Sequence, residues 1–259
     1  MRRERCSSRW RWCWCGSAGA PRSSLRRSVR RLNLRPGDNP MTDLSDATLD
    51  EIRAALAPLI ARNAAFDGWS VKAVDAAAAQ AGVDSDVARL AVSGGAVDMI
   101  DAWFASIDRA MLAALPAEQL AAMKIRDKIA ALVEARLDAL APDREALRRA
   151  LAILAMPQNV ARALKLGWRS ADLMWRLAGD TATDYNHYSK RAILGGVYGA
   201  TVTIFLDDES EGFADTRAFL ARRIEGIMRF EKTKAKLIGQ AQYRPSLSRF
   251  IGRLRYPVV

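Results

Sequence analysis

Cysteine is missing from Met41 to the end of this 259-residue sequence, because all three, Cys6, Cys13 and Cys15, lie in the first forty positions. That absence excludes disulfide staples and thiol catalysis from everything after Pro40. Cys13-Trp14-Cys15 lacks the second ligand pair that a zinc site requires. Histidine occurs once, at His187, so a histidine-based metal site or a general-base cluster has no partners. No G-x-S-x-G, phosphate-binding loop or H-E-x-x-H pattern is present, and the expectation is a protein that is not an enzyme and holds no cofactor. Period-two alternation is essentially missing as well, which argues against sheets and for an all-α fold.

Acidic residues are scarce at both ends of the sequence, and the first forty positions carry most of the charge imbalance. Residues 1–40 hold eleven arginines against Glu4 and Asp38, a net of +9, while residues 41–259 carry 29 basic and 27 acidic groups, a net of +2. The basic character therefore belongs to the leader. An Arg-rich, Ser-rich, acid-poor segment without apolar periodicity is expected to be disordered. It reads as a start upstream of a native Met41, as a mitochondrial targeting segment, or as a basic arm.

From residue 48 onward, helical spacing dominates. Thr48 and Glu51 form a capping box ahead of Ile52, Leu56, Leu59 and Ile60, although Pro58 should kink or divide that helix. Ser70 is placed to cap a helix ending at Ala81 and Gly82, and a third runs from about Asp84 to Val92. These three form a head over residues 41–95. A bundle follows over residues 96–232, with Val97, Ile100, Phe104, Ile107 and Met111 on one stripe. A single long helix is expected through Leu120, Met123, Ile129, Leu132, Val133 and Leu137. Pro142 and Pro157 open further helices, the second passing through Val160, Leu164, Leu173 and Met174 to Gly179. A helix from about Phe213 to Phe230 places Phe213, Thr216, Leu220, Ile227 and Met228 near one side, and residues 233–245 read as a linker or an extension of it.

Ala192 to Leu206 is a charge-free run of fifteen residues, short of the roughly 20 that span a bilayer. It reads as a buried helix. Gly195, Gly196 and Gly199 within it weaken the helix by about 1 kcal/mol each relative to alanine. Close helix packing is the ordinary compensation, and room for a ligand's hydrocarbon chain is the functional one.

Two further stretches bear on function. Residues 246–259 contain no acid, and Leu247, Phe250, Ile251 and Leu254 fall at i, i+3, i+4 and i+7 beside Arg249, Arg253 and Arg255. Such a basic amphipathic segment suits docking on an anionic membrane, packing on its own bundle, or a partner protein. Asp184, His187, Tyr188 and Arg191 recur at helical spacing from a start near Thr183, as a docking patch or an ordinary solvated helix start.

The residues from Asp172 to Arg191, DLMWRLAGDTATDYNHYSKR, continuing as AILGGVYGATVTIFLDDES, closely resemble the signature of the ninth accessory family of coenzyme Q (ubiquinone) biosynthesis. Its members read much like D-x-M-W-x-x-A-G-D-x-S-T-D-x-N-W-Y-T-K-R, followed by a tyrosine-bearing apolar helix. Weaker similarity covers about residues 43–245, including a head that looks like the helix-turn-helix of TetR regulators. The resemblance implies a TetR-like helical bundle, often a homodimer, that has lost DNA binding and holds an isoprenoid or quinone lipid in an apolar cavity. It further implies docking on the membrane through a C-terminal amphipathic helix and presentation of the quinone precursor to the di-iron demethoxyubiquinone hydroxylase. The implied location is peripheral on the inner membrane, facing the cytoplasm or, alternatively, the mitochondrial matrix.

Carried onto this chain, the hydroxylase-docking surface comprises Asp184, Asn186, His187, Tyr188 and Arg191, with His187 where relatives have tryptophan and Ser189 where they have threonine. Candidate lipid-lining residues are Trp175, Leu194, Val197, Tyr198, Thr201 and Phe205, against the plainer reading that they pack the core. A tail would gain about 0.8 kcal/mol per methylene buried. The alternative function is a TetR-type regulator sensing a hydrophobic effector. Against it, residues 41–100 hold nine acids and four basic groups, a net of −5, and the would-be reading helix opens with Asp84 and Asp86.

Removing residues 246–259 is expected to abolish flotation of the protein with anionic liposomes; undiminished flotation would contradict a membrane-docking role for Leu247, Phe250, Ile251 and Leu254.

Overall fold

The computed structural model describes residues 44, 46–181 and 185–239, with side chains described at 44, 46–181 and 187–229. It is all-helical among those residues. Helix α1 (Leu49–Asp67) opens on the capping box, with the Glu51 carboxylate accepting from the Thr48 backbone N–H at 2.9 Å. Pro58 does not divide it. Proline removes the N–H that would have bonded the carbonyl of Ala54, and Arg109 Nη2 donates to that carbonyl instead at 3.1 Å.

Helices α2 (Val71–Ala81) and α3 (Ser85–Ala91) complete the head. Gly82 sits at φ +69°, ψ 26°, the left-handed terminator that a Cβ would disfavour. The Ser70 hydroxyl makes no cap bond and donates to the Asp67 carbonyl. Asp84, by contrast, caps α3 by accepting from Asp86 N and Val87 N. Helix α4 (Ala96–Ala114) carries the foreseen stripe, with Val97, Ile100, Ile107 and Met111 buried and Phe104 half-buried.

The single helix expected after Pro116 is two, α5 (Ala117–Ala121) and α6 (Ile125–Leu140). Met123 N bonds back to Leu120 O and Lys124 is extended (ψ 153°), a break that no glycine or proline marks in the sequence. Helix α7 (Arg144–Leu154) follows a 3-10 turn containing Pro142, and α8 (Val160–Leu177) follows one starting at Pro157. The last two are α9 (Tyr185–Asp207) and α10 (Ala214–Gly239).

One core joins head and bundle. Trp69 packs on Trp103 with ring centroids 5.4 Å apart, and its indole N–H donates to the Ala146 carbonyl at 3.1 Å. On α10 the inward row is Thr216, Leu220 and Ile224, whereas Ile227 is only half-buried and Met228 is exposed, so the foreseen stripe holds for one turn and then drifts to solvent. Val160 and Leu164 on α8, expected inside, are exposed. No single described helix is long and apolar enough to cross a membrane. Residues 246–259 lie outside the described residues, and with them Leu247, Arg249, Phe250, Ile251, Arg253 and Leu254.

Two devices hold the end of α9. From α7, Arg144 Nη2 donates to the carbonyls of Phe205 and Leu206, and Arg148 Nη2 donates to Leu206, so cations satisfy the open C-terminal carbonyls. Beyond it, buried Asp208 accepts from the backbone and hydroxyl groups of both Ser210 and Thr216. Burial alone would raise the Asp208 carboxyl, but these donors outweigh it and hold the group far below the usual range. Asp208→Ala is expected to cost about 2 kcal/mol, read as a lower urea midpoint; an unchanged midpoint would show that the α9–α10 turn does not need it.

Candidate functional site

Helices α8 and α9 form a hairpin, and its closed end is an ionic corner. Arg191 is 2% exposed; its Nε lies 2.6 Å from Asp172 Oδ1, and its Nη1 lies 3.0 Å from Asp180 Oδ2 and from the His187 carbonyl oxygen. Lys190 Nζ lies 2.7 Å from Asp180 Oδ1 and over the Trp175 ring, while the Trp175 indole donates to the Lys190 carbonyl. Arg176 pairs with the other oxygen of Asp172. Burial pushes the Asp172 carboxyl up, but the Arg191 hydrogen bond and the charges of Arg176 and Arg191 outweigh it, leaving the group below its ordinary value. Its stabilising contribution is therefore complete above the unfolded value near 4 and is lost as the pH falls.

This geometry sorts the docking-patch residues. Tyr188 is exposed, 6.1 Å from the Trp168 ring and edge-on to His187 at 5.1 Å, so an aromatic cluster of Trp168, His187 and Tyr188 faces outward. Trp168 was missed by sequence reasoning; its stripe with Val160 and Leu164, spaced by four, was the available signal. Arg191 cannot offer its charge to a partner, because its guanidinium is buried in the corner. Asp184 and the side chain of Asn186 lie outside the described residues.

Beyond the corner, α7, α8 and α9 border a surface-open cavity of about 480 Å³. Gly167 and Leu164 from α8, Gly195, Gly199 and Val202 from α9, and Leu147 and Leu151 from α7 supply apolar walls. A Cβ added at Gly167, Gly195, Gly196 or Gly199 would meet no atom within 4 Å. The close-packing expectation for the α9 glycines is thus corrected: within this chain Gly195 and Gly199 border the pocket, while Gly196 lies on the exposed face of the helix. One end of the cavity is polar, where buried Arg136 is ion-paired with Asp108 and its Nε donates to the Tyr198 hydroxyl at 3.1 Å.

Of the six candidate lining residues, Tyr198 reaches this cavity. Leu194, Thr201 and Phe205 are buried in the core, with Thr201 bonded to the Val197 carbonyl; Val197 packs against that core, and Trp175 belongs to the ionic corner. The most apolar row of α9 faces the core, and the row of small residues faces the cavity. A second cleft of about 620 Å³, between Gly94–Asp101 and α8, is charged, with Arg169 and Arg176 paired to Asp101 and Asp172. Among the described residues no group of three or more His, Cys, Asp or Glu is placed to hold a metal.

Arg191→Met is expected to cost about 2–3 kcal/mol, since it takes from Asp172 and Asp180 the buried partner they share and leaves them only Arg176 and Lys190. Thermal unfolding checks this; a melting temperature within a degree of the parent would mean that the corner is not structural.

Comparison with known proteins bears on the same stretch. Residues 160–231, from α8 into α10, match the COQ9 family. The chain is 42% identical over 111 residues to "Ubiquinone biosynthesis protein COQ9, mitochondrial" of Rattus norvegicus, covering 42% of this chain and 36% of that protein. With the protein of the same name from Bos taurus it is 33% identical over 183 residues, 67% of this chain and 57% of that one. The chain thus spans between about a third and three fifths of the length of these relatives. In fold it is similar to a TetR transcriptional regulator from Nitrosomonas europaea, with a TM-score of 0.55 and 24% identity over 68% of this chain and 97% of that one. The chain is therefore a relative of the COQ9 proteins, carrying that family's own segment on a TetR-like all-helical frame.

Proposed function

We infer that this protein serves ubiquinone biosynthesis as a non-enzymatic lipid carrier, holding an isoprenoid or quinone-type intermediate between α8 and α9. The carrying observation is the pocket itself: Gly195 and Gly199, which weaken the helix, line an apolar space that opens to the surface. The names of the relatives supply the pathway. In this role the protein docks on the inner membrane through the basic amphipathic residues 246–259. Delivery to the di-iron hydroxylase follows at the exposed Trp168, His187 and Tyr188 cluster, aromatic groups being the usual anchors of such contacts. Asp184 and Asn186, close to His187 in sequence, belong to the same proposed docking surface.

The regulator reading is weaker on chemistry. Arg89, the cation of the would-be reading helix α3, is paired with both oxygens of Asp75 at 2.8 Å and with Asp86, so its charge is offset by two carboxylates that phosphate would have to displace.

Two substitutions separate the parts. Gly199→Leu is expected to empty the purified protein of co-extracted prenyl lipid, measured by mass spectrometry, while Gly196→Ala, outside the cavity lining, leaves the lipid and stabilises α9 by up to about 1 kcal/mol. Full lipid content in Gly199→Leu would remove the cavity from the reading. Tyr188→Lys is expected to abolish co-purification of the hydroxylase at an unchanged melting temperature, and persistence of the complex would remove the aromatic cluster.

A further inference from the structure

The charged cleft between the start of α4 and α8 lies apart from the proposed carrier pocket and shares only Leu166 with it. Four cations from α8 line the cleft, Arg162, Lys165, Arg169 and Arg176, together with three acids, Asp98, Asp101 and Asp172. Each acid is already held. Asp98 accepts from Arg53 through one oxygen and from the Gly94 N–H through the other. Asp101 is ion-paired with Arg169, and Asp172 is shared by Arg176 and Arg191. Arg162 and Lys165 are the uncommitted cations: both are exposed, and among the described residues neither has an ion pair or a hydrogen bond.

Uncompensated cations in a concave surface concentrate the local positive potential. These two stand at i and i+3 on α8, a spacing of about 5–6 Å between Cβ atoms. Donors at that separation suit one group with several anionic oxygens: the arginine fork takes two, and the lysine ammonium meets a third as a point charge. Phosphate has that form, whereas a lone carboxylate is filled by the arginine fork. The volume, about 620 Å³, far exceeds a bare phosphate and lies in the ordinary range of about 300–1,000 Å³ for compact organic ligands. Buried Val97 and Leu166 give the cleft an apolar wall for the organic part. We propose that this cleft binds a phosphate ester, its phosphate on Arg162 and Lys165 and its organic part against Val97 and Leu166. Two sources share that chemistry, the head group of an anionic phospholipid and a soluble phosphate ester. Because the site stands on other residues than the carrier pocket, each can fail without the other.

The test uses the full chain with Arg162→Gln and Lys165→Gln combined, a change that removes no internal contact and is expected to leave the melting temperature unchanged. A control pair, Lys72→Gln with Lys124→Gln, removes the same charge from exposed positions on α2 and ahead of α6. The probes are inorganic phosphate and glycerol 3-phosphate, read by isothermal titration, and vesicles of phosphatidylcholine with and without phosphatidylglycerol, read by co-sedimentation. The parent and the control pair are expected to bind glycerol 3-phosphate or the phosphatidylglycerol vesicles, and the Arg162/Lys165 pair of substitutions to weaken that binding about thirtyfold. Which of the two binds names the source. Undiminished binding in the Arg162/Lys165 variant overturns the site, as does an equal loss in the control pair or a parent that binds neither form. Inorganic phosphate binding as tightly as glycerol 3-phosphate overturns the part given to Val97 and Leu166.

Discussion

The buried guanidinium of Arg191 fixes how α8 and α9 face one another. Two carboxylates from α8 and the turn after it, Asp172 and Asp180, converge on it from one side, and the carbonyl of His187 meets it within its own helix. Because charges this deep are tolerated only when mutually satisfied, the corner permits one rotation of α9. That rotation turns Leu194, Thr201 and Phe205 into the core and leaves Gly195, Tyr198, Gly199 and Val202 against α8. Both the pocket and the aromatic cluster follow from it, neighbours along the α8 stripe of Val160, Leu164 and Trp168.

Glycine and arginine then divide the work along α9. Glycines weaken the middle of the helix, and the ends are held from outside: Arg144 and Arg148 satisfy its last carbonyls, and Asp208 organises the turn into α10. A helix anchored at both ends tolerates a run of small residues at its centre, so open space persists beside it. The same logic explains why Pro58 is harmless in α1, where Arg109 takes up the carbonyl that proline leaves unbonded.

Helix existence was legible in the sequence because caps and periodicity are local: Thr48 with Glu51, Gly82, and the Val97 to Met111 stripe all stand as read. Breaks set by tertiary contacts were not legible. Lys124 carries no breaker, and Pro58 looks like one. The site was half legible for a related reason. Hydropathy ranks the rows of α9 by greasiness, so it selected the row containing Leu194 and Phe205, which is core, and passed over the glycine row, whose meaning depends on what α8 places opposite. Arg191 shows the same limit: helical spacing puts it on a face with Tyr188, but only the positions of Asp172 and Asp180 reveal that its charge is spent internally.

The reference state for binding changes the weight of the tail. Counted from water, each methylene buried contributes about 0.8 kcal/mol, which makes a long chain look decisive. A polyprenyl lipid, however, starts in a bilayer, and moving its chain into a cavity lined by Leu147, Leu151 and Val202 exchanges one apolar surrounding for another. The chain term then nearly cancels. Under the proposed carrier role, discrimination would have to come from polar groups, which the bilayer interior cannot match, and Arg136 and Tyr198 are polar side chains at the pocket wall. In that role cargo would exchange with the membrane near equilibrium, with chain length left almost unread.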